Sequence, residues 1–277
     1  QRQMCIRDRL ISTYNNQTAS FATSYGSFMR NFIVHTPPNF DYQTESLPLL
    51  FVLHGFTGRA PSIREYSGFD QIADEERFIV VYVQGTTDQF GNTGWNVNVV
   101  ASFLSVDDVG FFKALIKYFK ASYNIDSNKI FSSGMSLGGF MSYRLACELE
   151  EINSIGSVTG SMAGYYQCNP PKKSSIIHLH GMNDAIVPYN GVEWSFSAKA
   201  AHDFWKNHNQ CNSQNEITIP DFNGDGEYTT RLISYDCEDN KSVELYSLEG
   251  EGHTWWKKSW GHDINTSELI WQFFKSQ

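Results

Sequence analysis

The stretch Ile130-Phe131-Ser132-Ser133-Gly134-Met135-Ser136-Leu137-Gly138-Gly139 decides how the chain is read. A β-prone run ends in Gly134, Ser136 follows two residues later, and Gly138 with Gly139 opens an apolar, helix-capable segment from Phe140 to Leu149. This is the G-x-S-x-G pattern of a serine presented on a sharp strand-to-helix turn. The glycines have a mechanical reason, because a side chain at Gly134 or Gly138 is expected to collide with the strained serine backbone. Over five residues a chance Gly/Ser-rich turn reads the same. The pattern gains meaning if the chain also supplies an oxyanion hole, an acid and a histidine in the matching order.

Upstream, Pro48-Leu49-Leu50-Phe51-Val52-Leu53 is continuously apolar, as a strand buried on both faces should be, and runs into His54-Gly55-Phe56-Thr57-Gly58. A strand ending in His-Gly, with more glycine nearby, is where a backbone N–H completes an oxyanion hole. Phe56 is the expected donor there, with Leu137 after the serine as the second; His54 reads as a structural histidine. Downstream, Ser175 to Leu179 is another buried strand, and His180-Gly181-Met182-Asn183-Asp184-Ala185-Ile186-Val187-Pro188-Tyr189 follows it. An aspartate just past a strand end makes Asp184 the expected acid, while His178 reads as core. The last strand, Val243 to Leu248, leads into Glu249-Gly250-Glu251-Gly252-His253-Thr254-Trp255-Trp256, which puts His253 in the base position. His262, in a Gly-His-Asp loop, is the alternative base.

The rest of the chain fits a repeating strand and helix. Phe28 to His35 and Phe78 to Val83 read as strands, the first as an antiparallel edge; Ser62 to Arg77 has helical spacing. Val109, Phe112, Leu115, Ile116 and Phe119 recur every three or four residues, and Asp107 and Asp108 before them read as caps rather than catalysts. Gly191 to Asn209 contains a helix carrying Trp194, Ala198, Ala201, Phe204 and Trp205, and Ser267 to Phe274 is the closing helix. Buried strands alternating with helices specify a single α/β domain with a mostly parallel central sheet covered by helices on both faces. The loop from Gly85 to Ser105 holds Gly94-Trp95-Asn96, and a long loop of this kind often supplies a substrate wall. Thr57, Trp95, Asn96, Tyr189 and Trp255 are the candidate substrate contacts, although Trp95 serves equally well as a core plug. Asp221 to Glu227 resembles half of a calcium loop, but its twelfth position is Leu232, so a turn between strands is expected and no metal is assigned.

Composition narrows the partners. The 277 residues are 41% hydrophobic and 15% aromatic, enough for a sizeable core, and the net charge of −9 disfavours nucleic acid or an anionic membrane surface. No apolar run approaches the ~20 residues of a membrane span. Residues 1–9, which include Gln3-Met4-Cys5-Ile6-Arg7-Asp8-Arg9, resemble the translated end of a sequencing adapter; the fold is expected over residues 10–277, with a native leader absent. Without Cys5, Cys147, Cys168, Cys211 and Cys237 form an even set that suits two disulfides in an oxidising compartment. Local order suggests Cys147 with Cys168 and Cys211 with Cys237, but three connectivities are open, and four free thiols in a cytosolic enzyme is the alternative.

Taken together, L-H-G-F-T-G, the D-D-V-G-F helix start, G-M-S-L-G-G, H-G-x-x-D-x-x-V-P-Y and G-x-G-H-T-W resemble the polyhydroxybutyrate-depolymerase-like and feruloyl-esterase-like enzymes of carbohydrate esterase family 1, over about Phe28 to Phe274. The resemblance implies an α/β-hydrolase fold and a cofactor-free, metal-free esterase, secreted or periplasmic, with Ser136, Asp184 and His253 as triad. A monomer acting on a small or polymeric ester, most simply a polyhydroxyalkanoate-type polyester or its oligomers, is expected; feruloyl or acetylxylan esters are the alternative. A serine peptidase and a non-catalytic binding module are the remaining readings. The chain departs from the family after His253-Thr254-Trp255, where Trp256-Lys257-Lys258 replaces a common proline. With an imidazole as base, activity should rise through the neutral pH range.

Overall fold

A computed structural model of the chain describes residues 16–22 and 29–277; residues 1–9 and Cys5 lie outside them. In chain order come β1 (Asn16–Ala22), β2 (Met29–His35), β3 (Leu47–Leu53), α1 (Ala60–Ser67), α2 (Phe69–Glu76) and β4 (Ile79–Val83). The short pair β5 (Thr86–Thr87) and β6 (Thr93–Gly94) precedes α3 (Asp108–Ser122), β7 (Ile125–Met135), α4 (Leu137–Glu148) and β8 (Ser154–Val158). Then follow β9 (Ser175–Gly181), α5 (Ala198–His208), β10 (Ser213–Ile219), β11 (Thr229–Tyr235), β12 (Val243–Leu248) and α6 (Thr266–Lys275). Among the described residues one sheet of ten strands runs β1-β2-β4-β3-β7-β8-β9-β12-β11-β10. Its centre, from β4 to β12, is parallel, and antiparallel strands extend it at both ends. β2 pairs antiparallel as expected, but β1 lies outside it and takes the edge.

Strand alternation builds two cores. Leu49, Phe51 and Leu53 of β3 pack with Phe112 and Phe119 of α3, Leu145 of α4 and Trp205 of α5. The intervening Leu50 and Val52 face the other way, onto Ile63 of α1, Phe69 of α2 and Phe274 of α6. Successive side chains on a strand point to opposite faces, so a strand covered on both sides must be apolar at every position. Each such buried side chain contributes roughly 1.5–3 kcal/mol. No helix among the described residues is long and apolar enough to cross a membrane.

Three local expectations change. The helix read over Ser62 to Arg77 is two helices, because Gly68 adopts φ 69° and its N–H caps Arg64 O, a left-handed stop that glycine reaches without Cβ strain. Trp194 lies before α5, whose N-cap Ser197 accepts from the Ala200 N–H. Asp107 does cap α3, accepting from Gly110 N–H at 2.8 Å, but Asp108 is buried beside Arg30 and accepts from the Asn96 N–H at 2.6 Å. It anchors a loop to the sheet rather than serving the helix dipole. Asp221, Asn223 and Asp225 spend their side-chain oxygens on the amides of their own turn between β10 and β11. Disulfides join Cys147 to Cys168 and Cys211 to Cys237.

Candidate active site

β7 delivers Ser136 to the carboxyl end of the parallel strands, where α/β folds present their functional loops. Ser136 sits between β7 and α4 at φ 55°, ψ −123°, a conformation that costs a non-glycine residue of order 1–3 kcal/mol and persists only where its surroundings hold it. Its own N–H bonds to Val158 O at 2.8 Å. The two glycines are required for a reason other than the expected one. A Cβ on Gly134 would lie 2.4 Å from the Gly138 backbone, and one on Gly138 would lie 2.3 Å from Leu53 O. The clash is of helix against strand, and Ser136 is not among the three nearest atoms in either case.

The loops after β9 and β12 bring Asp184 and His253 together, His253 Nδ1 lying 2.7 Å from Asp184 Oδ2. An ionised carboxylate only accepts, so the proton is on Nδ1 and Nε2 is left as the basic nitrogen. Asp184 is buried, and its Oδ1 accepts from the N–H groups of Ile186 at 2.8 Å and Val187 at 2.9 Å. Burial alone would raise its carboxyl pKa; the hydrogen bonds from His180, His253 and Val187 outweigh that and hold it well below the usual carboxylate range. The His253 loop is pinned in turn: Tyr66 Oη lies 2.7 Å from Thr254 Oγ1 and accepts from the Trp255 N–H at 3.1 Å. His262 pairs with Glu251 instead and does not approach Asp184 through any bond.

His54 has the structural role expected of it. Its Nδ1–H donates to Gly55 O at 2.7 Å, and its Nε2 accepts from the Gly85 N–H at 2.9 Å. Burial, chiefly, pushes its pKa down to about 4, so the ring is neutral and locks the turn that carries Phe56. Within that turn Thr57 N–H bonds to Thr93 O and Gly58 N–H to Gly55 O, while no hydrogen bond from Phe56 N–H or Leu137 N–H is present among the described residues. Leu137 is the first residue of α4, where the amide has no helical acceptor and the helix dipole is positive. Gly55 lies against the serine, since a Cβ there would be 3.1 Å from Ser136 Cβ.

Ser136 and His253 share a cavity of about 690 Å³ with Phe56, Ile63, Tyr66, Met135, Ile186 and Trp260. The candidate substrate contacts read from the sequence are elsewhere. Trp95 is fully buried, its Nε1–H on His54 O at 2.8 Å and its ring against His54 and Phe112. Asn96 is buried too, its amide on the carbonyls of Leu104 and Val106. Trp255 lies in the core against Phe69 and donates to Ser267 Oγ. Tyr189 bonds Ser247 Oγ at 2.6 Å, and Thr57 is exposed beside the cavity without lining it. Trp95, Asn96 and Trp255 are thus buried supports and not cavity wall. Beyond Phe56 and Met135 of the two motif turns, the wall comes from α1, which carries no motif, from Ile186 inside the acid motif, and from Trp260 beyond the histidine; of these last three, only Ile186 had a positional signal in the sequence.

No family model matches the chain. It is 25% identical over 275 residues to a feruloyl esterase D of Neurospora crassa, covering 94% of this chain and 86% of that protein. It is also 25% identical over 237 residues to a bifunctional acetylxylan esterase/xylanase of Neocallimastix patriciarum, covering 81% of this chain. It spans 31% of the length of that relative and 42% of a feruloyl esterase B of Piromyces equi. Among solved structures, an acetyl xylan esterase from Aspergillus awamori superposes with a TM-score of 0.61 at 14% identity, covering 90% of this chain and 94% of that one. A ferulic acid esterase from Anaeromyces mucronatus, solved with ferulic acid, gives 0.57 at 12% identity, covering 100% and 98%. The fold is that of the α/β hydrolases. Within that class, the chain is similar in sequence to carboxylic ester hydrolases named as feruloyl and acetylxylan esterases.

Proposed function

We propose that the chain is a serine esterase that cleaves hydroxycinnamoyl esters of the plant cell wall through an acyl-enzyme. The observation that carries this reading is the 2.7 Å bond between Asp184 and His253 Nδ1, His253 lining the same cavity as Ser136. His253 Nε2 takes the Ser136 Oγ proton as Oγ adds to the ester carbonyl, and Asp184 stabilises the resulting imidazolium. The unused N–H groups of Phe56 and Leu137 receive the oxyanion, aided by the positive end of α4. The imidazolium then gives its proton to the departing alcohol. Water, deprotonated by the same nitrogen, attacks the acyl-enzyme and frees the acid and Ser136.

The polyester expected from the motifs is not the substrate the relatives favour; those named above are feruloyl and acetylxylan esterases. Cavity size favours the feruloyl side. About 690 Å³ lined by Phe56, Ile63, Tyr66, Met135, Ile186 and Trp260 is well within the range of sites for a drug-sized ligand, roughly 300–1,000 Å³, and far exceeds an acetyl group. Flat aromatic rings at Tyr66 and Trp260 suit an aryl acyl group. Two disulfides support an oxidising compartment as its place of work. The test is a panel of methyl ferulate, acetylated xylan and a hydroxybutyrate trimer. Methyl ferulate should have the highest kcat/KM; a preference for the trimer would return the polyester reading, and turnover of a peptide instead of any ester would mean a peptidase.

A further inference from the structure

Behind Asp184, away from the cavity, lies a buried chain of rings that the chemistry above leaves unused. Tyr143, His178 and His180 are each essentially inaccessible to solvent. Tyr143 Oη is 3.0 Å from His178 Nδ1, and His178 Nε2 is 2.9 Å from His180 Nδ1. His180 Nε2 is 2.8 Å from Val187 O and 3.4 Å from Asp184 Oδ2, the oxygen that also receives His253. We infer that Tyr143, His178 and His180 form a one-way hydrogen-bond relay that positions Asp184 for His253.

The direction follows from what each atom can do. The Val187 carbonyl only accepts, so His180 Nε2 carries a proton. Burial, together with the neighbouring His180 and His202, outweighs the opposing hydrogen bond with the Gly160 backbone and pushes the His178 pKa well below the usual histidine range, so that ring is neutral and holds one proton. Burial raises the Tyr143 phenol, which therefore keeps its proton. The arrangement that satisfies every atom without a buried cation runs Tyr143 O–H to His178 Nδ1, His178 Nε2–H to His180 Nδ1, and His180 Nε2–H to Val187 O and Asp184 Oδ2. Reversing one link alone sets two donors or two lone pairs face to face, and reversing the first two together makes His180 a buried cation. The relay therefore fixes the Val187 carbonyl and the Asp184 carboxylate as one unit, and the Ile186 and Val187 amides close the unit from the other side. His180 is a positioning residue; it touches no substrate.

The inference rests on the proposed roles of Asp184 and His253, so the test reads Ser136 directly. The rate of labelling by a fluorophosphonate would be measured for wild type, His180→Leu, His180→Gln and Tyr143→Phe, alongside the low-field proton resonance of His253 Nδ1–H. His180→Leu should cut the maximal labelling rate by about tenfold to a hundredfold, the scale of one lost hydrogen bond to a charged group, with the half-saturating probe concentration unchanged. It should also move the low-field resonance. His180→Gln, which keeps an N–H near the Nε2 position, should recover most of the loss. Tyr143→Phe should slow labelling by about threefold or more through loss of the relay's terminal donor. A folded His180→Leu that labels at the wild-type rate, or a His180→Gln as slow as His180→Leu, overturns the relay. If His180→Leu does not fold, Tyr143→Phe decides, and a wild-type rate with an unmoved resonance overturns it. A wild-type chain that the probe leaves unlabelled sinks the esterase reading instead, while the resonance still reports on the relay.

Discussion

Ser136 is tightly constrained: a β-branch-free hydroxyl on a positive-φ backbone, between a strand and a helix that only glycines allow to touch. Asp184→Asn should leave the fold intact and lower kcat by about 10⁴-fold, because an amide presents a donor or a weak acceptor to His253 Nδ1 and favours the wrong tautomer. His54 yields a pH prediction of a different kind. In the unfolded chain its ring titrates near ~6.5. In the fold, burial lowers it to about 4, so between those values the unfolded state binds the extra proton. Stability from this group is complete above the unfolded value and is lost as pH falls toward 4, by about 3 kcal/mol at most. Urea titrations from pH 7 to pH 4 should show this loss, and His54→Gln should flatten it. Asp184 works in a separate window: its folded carboxyl is depressed, so its contribution fades only below the ordinary carboxylate range.

At the level of elements, the tryptophans separate wall from support. Trp95 fills the core behind the β3 turn, whereas Trp260 is half exposed, stacks with Tyr66 at 5.5 Å and lines the cavity. Trp95→Ala should cost about 3–5 kcal/mol of stability in denaturant melts. Trp260→Ala should leave the melting curve nearly unchanged and raise KM for methyl ferulate several-fold, since a half-exposed ring carries little of the core. Gly68→Ala should cost about 1–2 kcal/mol by placing a Cβ on the left-handed joint between α1 and α2. The local sequence around each tryptophan points away from its role. Trp95 sits in a glycine- and asparagine-rich loop that looks like a binding loop, but that loop folds back under the strand ends and puts the indole on a backbone carbonyl. Trp260 has no motif around it beyond a short Lys-Ser-Trp-Gly turn, and its place depends on the contact with α1 across the chain.

Across the whole molecule, what was legible follows one physical distinction. Strands buried on both faces announce themselves by unbroken apolar runs, and the loops at their carboxyl ends inherit their positions from the sheet; β3, β7, β9 and β12 therefore carried Phe56, Ser136, Asp184 and His253 with them. Cavity walls come from whichever surfaces meet over those loops, and sequence order does not encode that meeting. The outer strand β1 and the Arg30–Asp108 pair were missed for the same reason. The disulfides stand between these cases, because closeness in sequence made their pairing guessable; they close separations of 21 and 26 residues. Each should contribute about 3 kcal/mol, so reduction should lower the denaturation midpoint while the parallel sheet persists in native buffer. The most direct measurement is ferulate release from methyl ferulate by the wild-type chain and by Ser136→Ala under one set of conditions. Wild type should turn over, and Ser136→Ala should be slower by at least about 10⁴-fold with an unchanged melting curve. Ferulate release by Ser136→Ala at the wild-type rate would contradict the assignment of Ser136 as nucleophile and with it the proposed esterase mechanism.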